Sequence, residues 1–250
     1  MYAVALQSGS NGNCVYIETH GVRLLFDAGI SGVQAEKRLA ALGRDIRRVD
    51  AVIISHDHAD HARCAGVFGR KYGLPIHVSR RTLQATGGLG SIERLCHFAS
   101  GETLRFNGVS VETIRTAHDA ADGVVFVVAD GRHRVGVLTD LGHVFEGLPE
   151  VIASLDGAFI ESNYDPEMLR KGPYPAHLQA RIRGPRGHLS NTESADLLLH
   201  GRRLKWACLA HLSEENNTPQ LALREHLMAM RGDYRLRAAN RYGASETFEL

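Results

Sequence analysis

The sequence predicts a four-layer α/β fold, in which two mixed β-sheets pack face to face and helices cover both outer sides. Strand-like segments cluster in each half of the chain, and helical patterns follow each cluster. A sheet must bury its apolar faces against other layers, so this distribution indicates an α/β/β/α sandwich. At 250 residues the chain can form a substantial core, and we expect one domain over residues 1–250.

The first half of the chain opens with β-branched and aromatic segments that predict antiparallel strands. Gly43 and Gly73 stand where they would end two helices. The predicted strands are Tyr2–Gln7, Cys14–Thr19, Val22–Phe26, Val49–Ser55 and a segment from Pro75, and the predicted helices are Val33–Leu42 and Cys64–Tyr72. Glycines in Thr82–Ser91 indicate an irregular or mobile segment there.

The second half alternates strand and helix patterns. The predicted strands are Ser110–Ile114, Val124–Ala129, Arg134–Thr139, Gly157–Glu161, Lys205–Ala210, Arg235–Ala239 and Glu246–Leu250. The predicted helices lie near Val144–Leu155 and at Asp165–Lys171, Ala176–Arg183, Thr192–His200 and Pro219–Met230. We expect the last two strands to close the sheets.

The segment His56-Asp57-His58-Ala59-Asp60-His61 packs three imidazoles and two carboxylates into six positions. It directly follows the apolar segment Val49–Ser55, which reads as a short buried strand. Neutral imidazole and carboxylate groups suit zinc, manganese and ferrous iron. The segment therefore predicts a metal site at a strand end, against the alternative of a solvated loop that binds metal only adventitiously.

Further residues share this placement, since each directly follows an apolar, strand-like segment: Asp27, His118, Asp140 and His211. Strand ends hold side chains rigidly at one edge of a sheet, which a metal site needs for its ligand distances. A lone residue of this kind would more often be a hydrogen-bonded structural residue. Beside the histidine-rich segment, however, the group is predicted to supply further ligands.

This order of motifs resembles the metallo-β-lactamase superfamily of metal-dependent hydrolases over nearly the whole chain. The resemblance implies a four-layer sandwich and two divalent ions, zinc or manganese with ferrous iron also compatible. Asp27 would orient the ligand loop, and Asp140 would bridge the two ions. The ligands implied for the first ion are His56, His58 and His118, and those for the second are Asp60, His61 and His211.

Three longer motifs resemble one branch, the YycJ/WalJ group, for which a 5′-to-3′ DNA exonuclease activity is implied. They are Leu6–Cys14, Glu161–Asp165 with Gly187–Asn191, and Ala210–Asn217. The implied reaction is phosphodiester hydrolysis by a hydroxide shared between the metals, with Asp60 and His188 as catalytic residues. Phosphate-binding candidates are Ser10, Asn11, Asn13, His188, Ser213 and Asn217. The Ser8–Asn13 loop offers backbone N–H groups to an anion, although it also reads as a plain turn.

Nucleic acid, with DNA favoured over RNA, is the predicted substrate. The net charge of +1 does not argue for it. Eight basic residues do lie between two predicted ligands, where they either follow a phosphate backbone or line solvated helix faces: Arg170, Lys171, Arg181, Arg183, Arg186, Arg202, Arg203 and Lys205. Aromatic residues for base stacking are few, with Trp206 as the only tryptophan.

Two other functions stay open from the sequence. One is a lactone or thioester hydrolase that uses the same metals in an apolar pocket. The other is a non-catalytic metal-binding protein. No secretory or membrane-spanning segment is evident, so we expect a cytoplasmic protein that does not bind membranes, and the oligomeric state is left open.

Overall fold

The computed structural model describes residues 1–250 and contains fourteen strands. Those of the first half are β1 (Tyr2–Gln7), β2 (Cys14–Thr19), β3 (Val22–Phe26), β4 (Ala51–Ile53), β5 (Ile76–Ser79), β6 (Leu95–Phe98), β7 (Thr103–Phe106) and β8 (Val109–Arg115). Those of the second half are β9 (Val124–Ala129), β10 (Arg134–Leu138), β11 (Gly157–Glu161), β12 (Trp206–Ala210), β13 (Arg235–Ala238) and β14 (Phe248–Glu249).

The strands form two sheets of seven with the same plan. The first has the order β14-β1-β2-β3-β4-β5-β6, and the second has the order β13-β12-β11-β10-β9-β8-β7. In each sheet four consecutive strands are parallel, β3 to β6 in the first and β10 to β13 in the second. The carboxyl ends of parallel strands share one edge, so residues that follow these strands are brought together.

Nine helices connect the strands. They are α1 (Gly32–Ala41), α2 (Ala59–Ala62), α3 (Ala65–Tyr72), α4 (Arg80–Ala85), α5 (Leu148–Ser154), α6 (Pro166–Lys171), α7 (Ala176–Arg183), α8 (Asn191–Leu198) and α9 (Pro219–Ala229). Capping boxes begin α1 at Ser31 and α8 at Ser190, where each hydroxyl accepts from the third helical N–H. Helix α3 ends at Gly73, which has a φ of 68°. No helix combines the length and apolar character needed to cross a bilayer.

Three apolar clusters fill the spaces between four layers. The largest lies between the sheets, where Phe26 and Phe126 bring their ring centroids to 5.0 Å. A second packs α1 and α3 on the first sheet, and a third packs α5, α8 and α9 on the second. The predicted four-layer sandwich is therefore confirmed.

Two local predictions are corrected. Residues 82–85 of the segment expected to be irregular lie in α4, because Ser79 caps the helix by accepting from the Thr82 N–H. Helix α5 begins at Leu148 rather than near Val144, since Gly147 is left-handed with a φ of 85° and Pro149 follows within the first turn.

Strands β6 and β7 were not predicted. Strand β6 is only four residues long, but β7 and β8 form a hairpin whose Asn107-Gly108 turn is a recognisable sequence feature.

Candidate metal centre

The carboxyl-terminal ends of the strands place the predicted ligands at one edge of the sandwich. Asp27 directly follows β3, Asp140 comes two residues after β10, and His211 directly follows β12. All three have left-handed backbone angles, with φ of 65°, 59° and 54° respectively. Such angles in residues other than glycine cost about 1–3 kcal/mol each and concentrate at functional sites. The fold thus holds these side chains in strained but fixed positions.

The histidine-rich segment leaves β4 and turns into the short helix α2, with His58 as its N-cap residue. Two neighbouring loops hold its backbone, because Asn13 N–H donates to the Asp60 carbonyl at 2.8 Å and Ala28 N–H donates to the His61 carbonyl at 2.7 Å. Gly29 is required beside it, since a Cβ there would lie 1.7 Å from the Asp60 carbonyl oxygen. The position of this segment therefore depends on distant parts of the chain.

Asp27 sets which nitrogen carries the proton in two neutral histidines, directly in His61 and through Ser55 in His56. Its carboxylate accepts from the Ser55 N–H at 2.7 Å, from the Ser55 hydroxyl at 2.9 Å and from His61 Nδ1 at 2.7 Å. Because the Ser55 hydroxyl proton goes to Asp27, its oxygen accepts from His56 Nδ1 at 2.9 Å. Both imidazoles therefore carry their proton on Nδ1 and present the Nε2 lone pair to the centre.

The candidate ligands form two groups that meet at Asp140. Nitrogen atoms of His56, His58 and His118 lie within 4.8 Å of one another, and donor atoms of Asp60, His61 and His211 do the same. Asp140 lies between these groups, with Oδ1 3.5 Å from His118 Nε2 and 3.7 Å from His211 Nε2, and Oδ2 3.1 Å from His61 Nε2. This arrangement brings together all seven predicted ligands.

The residues fit divalent cations. His56 Nε2 and Asp140 Oδ2 are buried and make no hydrogen bond. When His61 is neutral and carries its proton on Nδ1, its Nε2 lone pair faces the Asp140 oxygen 3.1 Å away. Imidazole and carboxylate ligands with converging lone pairs suit zinc, manganese or ferrous iron.

Burial and charge favour the metal-binding protonation states of His56 and Asp60, whereas they favour the protonated form of His61. Burial, with the neighbouring His61, lowers the pKa of His56 well below its usual value. Burial acts to raise the pKa of Asp60, but His61 and His211 outweigh it and hold that pKa low. Burial would lower the pKa of His61, yet the carboxylates of Asp140, Asp27 and Asp60 raise it. These carboxylates favour an extra proton on His61, and a bound cation would supply positive charge in place of that proton.

Glu161, which the sequence analysis did not select, supports His188 beside the metal ligands. Its side chain is fully buried at the end of β11 and accepts from His188 Nδ1 at 2.6 Å and from the Leu141 N–H at 3.0 Å. Burial opposes a charge on His188, but Glu161 and the nearby Asp140 raise its pKa to about 9. A strand followed by a single acidic residue is the pattern that selected Asp140, so Glu161 could have been found in the same way.

Comparison with known proteins gives the same assignment. The metallo-β-lactamase superfamily pattern matches residues 8–187. The chain belongs to the metallo-β-lactamase superfamily. It is 37% identical over 224 residues to "Exodeoxyribonuclease WalJ" of Streptococcus pneumoniae serotype 2, a match that covers 87% of this chain and 83% of that protein. "Exodeoxyribonuclease YycJ" of Bacillus anthracis is 34% identical over 224 residues, covering 87% of this chain and 84% of that protein. The predicted resemblance to the YycJ/WalJ group is confirmed.

Solved structures of the metallo-β-lactamase fold superpose on nearly the whole chain. YhfI of Bacillus subtilis has a TM-score of 0.76 at 15% identity, covering 98% of this chain and 99% of that chain. Human tRNase Z, short form, has a TM-score of 0.67 at 15% identity with the same coverage. At this identity the likeness supports the fold alone.

The predicted phosphate-binding residues of this superfamily member separate into two sets. Ser10, His188 and Ser213 line the cavity beside the metal ligands. Three asparagines do not: Asn11 donates to the Arg241 carbonyl at 3.3 Å, Asn13 bonds Gly9 and the Asp60 loop, and Asn217 bonds the carbonyls of Ser162 and Asn163. Their side-chain amides already make these contacts within the protein, and their assignment as phosphate ligands stays a prediction.

The basic stretch does not form one patch. Four of its residues pair with nearby carboxylates: Arg170 and Lys171 with Glu167, Arg181 with Asp119, and Arg203 with Asp156. Arg202 and Lys205 precede β12, whereas the metal ligand His211 follows it, so they lie at the opposite end of the strand. Of the eight basic residues, only Arg181, Arg183 and Arg186 belong to the segment of α7 and its following loop that lines the cavity.

Trp206 is not available for base stacking, because it is buried and stacks on Phe248 at 4.3 Å between ring centroids.

The cavity of the metallo-β-lactamase site has a volume of about 250 Å³. Three of its fifteen lining residues are hydrophobic, and all three belong to α7 or the turn before it. Asp119, also missed from the sequence, lies on the cavity wall with Oδ1 3.8 Å from His58 Nε2 and 3.5 Å from His118 Nε2. Asp57 is not a ligand, since it accepts from the Ala121 N–H at 2.9 Å.

Proposed function

We propose that the protein is a metal-dependent phosphodiesterase of the nuclease type that uses two divalent ions and acts on DNA. The observation that carries the proposal is the polar cavity around the seven ligands, with a carboxylate-supported imidazole, His188, on its wall. The names of the WalJ and YycJ relatives support a DNA substrate and an exonuclease mode. The four-layer fold with one core between its sheets supports a single working domain.

The cavity disfavours the alternative of a lactone or thioester hydrolase. Such a substrate needs an apolar pocket for its acyl chain, whereas most of the lining residues here are charged or polar. The second alternative, a non-catalytic metal-binding protein, leaves the buried Glu161–His188 pair beside the ligands without a role.

The chain's residues would divide the work as follows. One group of ligands would hold the first ion and the other group the second, with Asp140 shared between them. Divalent ions in such a site polarise the phosphoryl group and lower the pKa of water, which supplies the nucleophile. Asp27 and Ser55 hold His61 and His56 in the tautomer that binds metal.

His188 is suited to hold phosphate and to donate a proton to the leaving oxygen. Its Nδ1 is committed to Glu161 at 2.6 Å, which leaves Nε2 as the nitrogen for substrate. The buried carboxylate keeps the imidazole protonated at neutral pH, as a general acid requires. Cations bound at Asp140 and Asp60 would lower its pKa from about 9 toward the working range.

The proposal is tested with end-labelled DNA and RNA strands, bis-p-nitrophenyl phosphate and p-nitrophenyl acetate, each with Mn²⁺ or Zn²⁺. We expect release of nucleotides from DNA that EDTA blocks, and loss of that release in Asp60→Ala and His61→Ala. Hydrolysis of the acetate ester without cleavage of any phosphodiester would favour the small-molecule alternative. Metal analysis giving well under one ion per chain after reconstitution would favour the non-catalytic one.

The choice between metals rests on the same assay, and the cytoplasmic location stays a prediction.

A further inference from the structure

Helix α7 forms one wall of the cavity without belonging to the core. None of its eight residues is buried. The loop that follows the helix is nevertheless held against the loop of the candidate ligand His118, because His118 Nδ1 donates to the Gly187 carbonyl at 2.8 Å and Asp119 N–H donates to the Arg186 carbonyl at 3.0 Å. His143 Nδ1 also donates to the Pro185 carbonyl at 2.7 Å. The wall therefore stands at a fixed position relative to the metal ligands.

This wall turns an apolar face toward the ligands. Tyr174, Leu178 and Ile182 are spaced four residues apart, are half-exposed, and are the three hydrophobic residues that line the cavity. Leu178 and Ile182 share one face of α7, and Tyr174 lies just before its N-cap residue, Pro175. Packing of the protein itself does not explain the face, since the helix buries no residue. An aromatic ring beside two aliphatic side chains offers a surface on which a planar group can stack.

Arg181 adds a cation at the edge of the same face. Its guanidinium contacts Asp119 at 2.6 Å, and its side chain is 63% exposed. The other carboxylate oxygen of Asp119 faces His58 and His118, so the ion pair anchors Arg181 next to the ligands. A guanidinium held in this way keeps free N–H donors for a phosphate oxygen. Arg183 and Arg186 on the same segment have no carboxylate within ion-pair distance.

We propose that the apolar wall formed by Tyr174, Leu178 and Ile182 stacks the terminal nucleoside of a DNA strand while Arg181 binds a backbone phosphate. This inference rests on the proposed nuclease function and names how that site recognises its substrate. Because this apolar wall has few polar groups that could bond the edges of a base, we expect binding to depend on stacking and to vary little with the DNA sequence. The cavity of about 250 Å³ is small by the standard of ligand pockets, which suits one chain end rather than a continuous duplex.

The first test measures binding in EDTA, where no strand is cut, by fluorescence anisotropy of a labelled single-stranded DNA. Each strand is compared with one whose terminal nucleoside is replaced by an abasic unit, first at one end and then at the other. For one of the two ends, the unaltered protein should bind the strand with the abasic unit about 5- to 150-fold more weakly than the intact strand. This is the factor expected from loss of one stacked base. Tyr174→Ala should bind both strands equally, and Tyr174→Phe should restore the difference.

The second test measures the salt dependence of binding. Arg181→Gln should reduce the slope of log affinity against log salt by about 0.7, the value for one phosphate contact on a single strand. Arg202→Gln, a change of the same kind at the far end of β12, should leave the slope unchanged.

Equal binding of intact and abasic strands by the unaltered protein would overturn the inference. This comparison uses only the unaltered protein, so it does not depend on whether a variant folds. A Tyr174→Ala variant that is folded but still discriminates between the strands would overturn it as well. The proposed function fails separately, if the protein shows base-dependent binding in EDTA but cuts no strand when it is loaded with metal.

Discussion

Replacing Asp27 by Asn tests whether distant side chains set the state of the metal ligands. Asn keeps the size of the side chain and tolerates the left-handed φ of 65° at this position. The amide has one acceptor oxygen, where the carboxylate accepts three hydrogen bonds, from Ser55 N–H, Ser55 O–H and His61 Nδ1–H. If that oxygen keeps the Ser55 N–H, the amide NH₂ then faces His61 Nδ1 and forces the proton onto Nε2.

That change of tautomer points a hydrogen at the metal position instead of a lone pair. Removal of a partner that orients a ligand typically reduces metal affinity by 10- to 100-fold, or about 1.4–2.7 kcal/mol. We expect a loss of this size for the ion held by Asp60, His61 and His211. A smaller loss is expected at the other ion, because His56 is linked to Asp27 only through Ser55.

Isothermal titration with Zn²⁺ and Mn²⁺ measures the two affinities. Asp50→Asn is the matched control, since this carboxylate also accepts a main-chain N–H, from Arg23 at 2.7 Å, but on an exposed turn away from the ligands. Unchanged affinity in a folded Asp27→Asn variant would refute the claim that Asp27 sets the tautomer of His61.

Three further outcomes are expected. Glu161→Gln should lower turnover about 100-fold or more with metal content unchanged, because the amide cannot hold His188 as a proton donor; full activity would exclude that role. Burial lowers the pKa of His226 to about 4, so the unfolded chain takes up this proton near pH 6.5 and the folded chain only near pH 4. Stability should therefore fall by about 2 kcal/mol from pH 7 to pH 5, and urea unfolding should show that His226→Gln lacks this component. Gly29→Ala should lower stability by about 1–3 kcal/mol and weaken metal binding, while Gly243→Ala, whose Cβ meets its nearest neighbour at 3.4 Å, should unfold like the unaltered protein.

The residues that the fold brings together at the candidate metal centre were predictable, because strand ends leave a local trace in the sequence. Each of Asp27, Asp140 and His211 follows an apolar strand, and parallel strands deliver their carboxyl ends to one edge. Glu161 follows the same rule, so its omission was avoidable.

The phosphate contacts were harder to predict, since they depend on which side-chain groups the fold already uses. Asn13 and Asn217 look like free polar residues in the sequence. In the structure their amides are buried and bonded to backbone groups far away along the chain. Helix α7 was predicted, but its spacing does not show that its apolar residues face the cavity and not the core, because the same pattern is typical of a buried helix face. Its place over the cavity follows from contacts made by Gly187, which lies 69 residues from His118.

The hydrogen bonds around the centre explain why so many distant residues are needed. Three histidines donate a hydrogen bond from Nδ1: His61 to the Asp27 carboxylate, His56 to the Ser55 hydroxyl oxygen, and His118 to the Gly187 carbonyl. In each case the fold, rather than the metal, decides which nitrogen carries the proton. In their neutral forms the three histidines therefore turn Nε2 lone pairs toward the centre without a further conformational choice, and a cation has only to replace the extra proton that the carboxylates favour on His61. Gly187 lies four residues after the end of α7. The hydrogen bond that orients the candidate ligand His118 therefore also holds the proposed substrate wall in place.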